Sequence, residues 1–91
     1  MIGATTPVGD LRNLGPKSVR WLQSIGVETY GDLAELGAPV AFRFVKAEHE
    51  TASLNLLYSL YGALHDVAWN QLSVETKDQL RTEVVAVTFS T

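Results

Sequence analysis

His49 and His65 are the chain's only imidazoles, and they bound its acid–base and metal chemistry. Neither sits in an HExxH or in a His–carboxylate run with ligand spacing. Glu48 and Glu50 flank His49, but adjacent residues splay around a helix and do not converge on one ion. An isolated histidine of this kind reads as a polar surface residue. There is no cysteine, which removes disulfides, thiolate metal sites and cysteine nucleophiles and fits a reducing compartment. Gly15-Pro16-Lys17-Ser18 has the ending of a phosphate-binding P-loop. Proline nevertheless splits its Gly-Lys pair, removing an N–H, and Asp10 stands where the loop's first glycine belongs. Tyr58 and Tyr61, together with Trp21 and Trp69, could form stacking surfaces, but as aromatic residues of a helical chain they read as packing anchors. No catalytic residue, metal-ligand set or cofactor site emerges, and the chain does not read as an enzyme.

The remaining chemistry is electrostatic. The 91 residues carry a net charge of −3, with 46% hydrophobic and 19% charged residues, which suits one folded domain spanning residues 1–91. The balance is uneven. Residues 1–20 sum to +2 through Arg12, Lys17 and Arg20 against Asp10, whereas residues 21–91 sum to −5. Any anion contact belongs near the start of the chain, and the rest repels polyanions. No apolar run approaches the ~18 residues needed to span a membrane, and Met1–Pro7 lacks the pattern of a signal peptide. The expectation is a cytoplasmic domain with no membrane contact.

Helix punctuation positions these cations. Asp10-Leu11-Arg12-Asn13-Leu14 runs into Gly15-Pro16, and proline suits the first position of a helix. That helix extends over about residues 16–25 to Gly26, with Val19, Leu22 and Ile25 on one face, Trp21 at its edge, and Lys17, Arg20 and Ser24 on another. Thr29 caps a second short helix, with Asp32 in capping-box spacing, Leu33 and Leu36 as anchors and Gly37 at its end. A third runs from about Pro39 to Glu48 with Phe42, Phe44 and Val45 as its large apolar residues and an outer stripe of Arg43, Lys46 and Glu50. Thr51 or Ser53 starts the fourth, which runs over about residues 53–64 and is apolar on nearly every side, and Gly62 and Ala63 permit close approach of a neighbouring backbone. Ser73 caps a fifth carrying Leu80 and Val84. Residues 82–89 are rich in β-branched types, yet Leu80, Val84 and Val87 keep helical spacing, so the helix continues to about Val85. The fold class is all-α, a bundle of five short helices. An apolar tail of this kind can pack on a second copy as a homodimer.

Residues 11–36 resemble a helix-hairpin-helix, with Leu11-Arg12-Asn13-Leu14-Gly15-Pro16-Lys17-Ser18 as the hairpin and Ile25-Gly26-Val27 closing the next helix. Such a turn presents N–H groups and a helix N-terminus to DNA phosphate, giving sequence-independent, salt-sensitive binding. The candidate contacts are Arg12, Gly15, Lys17 and Arg20. Asn13 occupies a place where the motif usually carries glycine, and Pro16 brings no N–H.

A wider resemblance joins this hairpin to Glu28-Thr29, Asp32-Leu33-Ala34-Glu35-Leu36-Gly37-Ala38, the segment from Ser53 to Leu64, and Trp69-Asn70. In order and spacing over residues 10–81 the chain resembles the C-terminal domain of the TfoX/Sxy family. The resemblance implies the helical fold and a place in regulation of natural competence for DNA uptake, as a transcriptional coactivator. Fuller members carry a separate N-terminal domain that these 91 residues do not include. The leading expectation is a non-enzymatic module acting through a protein partner in transcription regulation. The alternative is weak DNA-backbone binding through the hairpin.

Overall fold

The computed structural model describes residues 2–87. Five α-helices follow one another: α1 (Pro16–Ser24), α2 (Tyr30–Leu36), α3 (Ala38–Glu48), α4 (Leu54–His65) and α5 (Val74–Ala86), with single 3₁₀ turns at Val8–Asp10 and Trp69–Gln71. The all-α reading holds, and helix boundaries fall within about a residue of those the Gly, Pro and capping residues imply. Gly26 and Gly37 both adopt positive φ, +87° and +80°, where a side chain is strained. Gly37 ends α2 and starts α3 in one residue.

Helix α3 packs against each of the other four helices, so it is the centre of the bundle. Its Ala38, Ala41, Phe42 and Val45 are buried, and the small residues let neighbouring helices approach. Helix α4 buries Leu56, Leu57, Tyr58, Leu60, Gly62 and Ala63, in keeping with its nearly all-round apolar sequence. Leu22, Val27, Leu33, Leu80 and Val84 complete the core from α1, the α1–α2 turn, α2 and α5.

Three side chains depart from the sequence reading. Phe44 is 40% exposed because α3's buried face runs through Phe42 and Val45. Arg43 is half-buried and so leaves the outer stripe, while Lys46 donates to the carbonyls of Glu50 and Ala52 and closes the turn beyond α3. Trp69 is 38% exposed, unlike Trp21, which packs against the core. Helix α5 ends at Ala86 with Val85 81% exposed, and the last part of the apolar tail invoked for a homodimer, residues 88–91, lies outside the described residues.

The N-terminal segment is tied to α2. Val8 N–H donates to Glu28 O, while the first two amides of α2, Tyr30 and Gly31, donate to Thr6 O and Ala4 O at 2.8 and 2.9 Å. A Cβ at Gly31 would press on Ala4, so glycine is required there. The third amide, Asp32 N–H, goes to Thr29 Oγ1, and Asp32 Oδ2 accepts from the N–H groups of Glu28 and Thr29. The capping box inferred from Thr29 and Asp32 is present in both halves.

Those N–H donors, first Glu28's and then Thr29's, hold the Asp32 carboxyl below the ordinary aspartate range. A depressed folded pKa contributes stability above the unfolded value and withdraws it as pH falls through the folded one. Asp32→Asn keeps the shape of the cap without the charge. Its Tm should therefore decline less than the wild type's below about pH 4. Parallel Tm–pH curves for the two proteins would contradict this assignment.

Candidate functional site

The Leu11–Ser18 turn enters α1 through residues of contrasting environment. Leu11 and Leu14 are buried and anchor the loop from beneath. Between them Asn13 takes a φ of +74°, the left-handed conformation that asparagine tolerates best after glycine. The backbone course associated with glycine at this position is thereby kept, and a side chain is added. Asn13 Nδ2 donates to Val67 O at 2.9 Å and lies 3.5 Å from Ser59 O, while Asn13 Oδ1 accepts from Trp69 N–H at 3.3 Å. One amide thus bonds both to α4 and to the segment that follows it.

The end of α4 is shaped to receive it. Asp66 adopts φ +55° past His65, and Val67 N–H returns to Gly62 O at 2.8 Å, a helix end wound back on itself. A Cβ built on Gly62 would overlap Asn13 Nδ2 and Val67 O. The sequence leads to the expectation of a neighbouring backbone at Gly62; what comes close instead is the hairpin's asparagine side chain, together with the carbonyl of Val67 just beyond α4.

The four candidate phosphate contacts fall into distinct states. Arg12 is exposed, but its Nη1 donates to Asp66 O at 3.1 Å, a second tie to the end of α4. Gly15 is the N-cap of α1 with φ −88° and open space around its Cβ position, so neither conformation nor packing demands glycine there. Lys17 is exposed and places Nζ 4.9 Å from the Trp21 ring centroid. Arg20 is exposed on the next turn. Gly15, Lys17 and Arg20 share the entrance and first turns of α1, with Arg12 drawn toward α4. The Lys17 and Ser18 amides have no acceptor among the described residues, in contrast to the fully occupied start of α2.

The histidines have structural settings. His49 stacks on Trp21 with ring centroids 5.2 Å apart, and its Nε2 lies 3.2 Å from Ser24 Oγ, joining the end of α3 to α1. His65 lies against Tyr61, centroids 4.2 Å apart. Tyr58 is buried, its hydroxyl accepting from Arg81 at 2.9 Å with Lys77 over its ring. No group of three or more His, Cys, Asp or Glu residues among those described could hold a metal ion. No described helix is long and apolar enough to cross a membrane.

The sequence model of the TfoX C-terminal domain family matches residues 4–84, nearly the whole chain. A crystal structure of an uncharacterized protein from Listeria monocytogenes, in a triclinic form, is similar with a TM-score of 0.79 and 25% identity, covering 84% of this chain and 86% of that one. A tetragonal form of a protein of unknown function from the same organism gives a TM-score of 0.78 at 24% identity, covering 86% and 96% respectively, and shows the shared fold. No curated protein sequence matches the chain.

Gly62→Ala tests how tightly the hairpin is seated. The added methyl improves helix propensity by up to about 1 kcal/mol. Overlap with Asn13 and Val67 should outweigh that gain and lower the unfolding free energy by about 1–3 kcal/mol in urea titrations. Equal or greater stability would show that the contact is not tight.

Proposed function

Because the chain belongs to the TfoX C-terminal domain family, we propose that it is a non-enzymatic regulatory module, acting in the cytoplasm through protein contacts near the transcription machinery, as expected of a competence-regulator-like domain. The observation that carries this reading is the extent of the family match, residues 4–84. The charge distribution supports it. Residues 21–91 sum to −5 and disfavour a nucleic-acid surface. Within the hairpin, Arg12 is engaged with a backbone carbonyl and Lys17 lies over an indole, so part of the positive charge already has an internal partner.

A second reading, weak binding to the DNA backbone, is favoured by one specific feature. The entrance to α1 leaves two amides open beside an exposed glycine that nothing inside the protein requires. Glycine at such a position permits close approach of another molecule, and a helix start with open amides suits phosphate.

Anisotropy of a labelled random duplex, measured from low to moderate salt, separates the two. The protein-contact reading expects no saturable binding at micromolar protein. The DNA reading expects micromolar binding that falls steeply with salt and disappears in Lys17→Glu/Arg20→Glu. That double variant should stay folded, because it forfeits a cation–π contact of about 0.5–1 kcal/mol while adding acids near a helix start, where they are favourable. Salt-steep binding abolished by the charge reversal would overturn the protein-contact reading.

A further inference from the structure

An open groove of about 290 Å³ lies between the end of α1 and the side of α2, lined by Ile25, Gly26, Val27, Asp32, Glu35 and Leu36. Its composition is divided. Ile25, Val27 and Leu36 give an apolar wall that extends the core outward, since Val27 is buried while Ile25 and Leu36 are half-buried against the core cluster. Asp32 and Glu35 supply the polar lining.

Every fixed charge lining this groove is negative. Asp32 uses Oδ2 for the two backbone donors of the capping box, and Oδ1 accepts no hydrogen bond among the described residues. Those donors keep the carboxylate ionised. Glu35 is exposed and forms no ion pair among the described residues. The groove also includes Ile25, the C-cap of α1, and Leu36, the last residue of α2, and neither helix carries a basic residue in its last turn. The end of α1 therefore adds negative potential that no side chain of its own offsets, whereas the end of α2 runs through Gly37 straight into the positive start of α3.

We propose that this groove docks a basic segment of a partner protein, taking a lysine or arginine side chain with its aliphatic stem along Ile25, Val27 and Leu36 and its charged head at Asp32 and Glu35. The proposal rests on the protein-contact reading above and gives it a surface. Charge complementarity selects the occupant: two carboxylates and the C-terminal end of α1 call for a cation, and the apolar wall calls for one with a hydrocarbon stem. A bare divalent ion would leave that wall unused, and the groove provides only two carboxylate side chains as ligands. Gly26, at φ +87°, has nothing near its Cβ position, which leaves the rim between Ile25 and Val27 low and open.

Selection of a random linear peptide display library on the immobilised 91-residue chain tests this without presupposing a sequence. Enriched peptides should carry Lys or Arg beside Leu, Ile or Val. Their affinity should fall about tenfold or more for Glu35→Lys, a change that places a cation favourably in the last turn of α2 and so preserves the helix. Glu83→Lys, an equal change of net charge on the last turn of α5, should have little effect. Absence of enrichment, enrichment of acidic or uncharged peptides, or equal losses from both variants would overturn the groove assignment. Selected peptides that bind with an affinity indifferent to Glu35→Lys would reject the groove while leaving docking of a protein partner elsewhere intact.

Discussion

The side chain of Asn13 joins regions of the chain that local signals cannot bring together. Its amide reaches Ser59, Val67 and Trp69 from a turn that carries the domain's most distinctive residues. The constraint has two sides. Asn13 must adopt positive φ to place its side chain, and Gly62 must lack a Cβ to make room for it. Arg12 reinforces the arrangement through Asp66 O. The hairpin is consequently fixed against the end of α4, and the entrance of α1 keeps a defined direction relative to the α3–α4 core. Whatever approaches Gly15 and Lys17 meets a positioned helix start.

Much of the architecture could be read from residues with purely local effects. Pro16 and Gly26 delimit α1, Thr29 and Asp32 open α2, Gly37 divides α2 from α3, and Ser73 opens α5. Each acts through its own backbone conformation or a hydrogen bond three residues away, so sequence spacing suffices. The candidate site was legible as a turn and a set of cations, and the structure places Gly15 and Lys17 at the entrance of α1 with Arg20 one turn further on. The purpose of Asn13 was not legible. It is a departure from a glycine pattern in sequence, and its compensation lies 46 to 56 residues away. Arg12 posed the same problem, because a carbonyl acceptor at Asp66 leaves no trace in residue identity. The groove beside α2 was missed for a related reason: Asp32 had a sufficient explanation as a cap, and the wall it shares with Ile25 and Val27 exists only after the α1–α2 turn has folded back.

The two ends of α1 have opposite electrostatic character. Its entrance has open amides and exposed cations, and its exit adjoins carboxylates and an apolar wall. This polarity follows the helix dipole at both ends and is reinforced by the side chains. The two surfaces of contrasting sign are thus separated by the nine residues of α1.

Native-state hydrogen exchange on Asn13→Gly tests the clasp most directly. Glycine retains positive φ without cost, so the substitution removes the side-chain bonds while sparing the turn. The Trp69 amide should lose protection and global stability should drop by about 1–3 kcal/mol, since Val67 O is left without its Asn13 donor. Unchanged protection at Trp69 together with unchanged stability would contradict the claim that Asn13 holds the hairpin to α4.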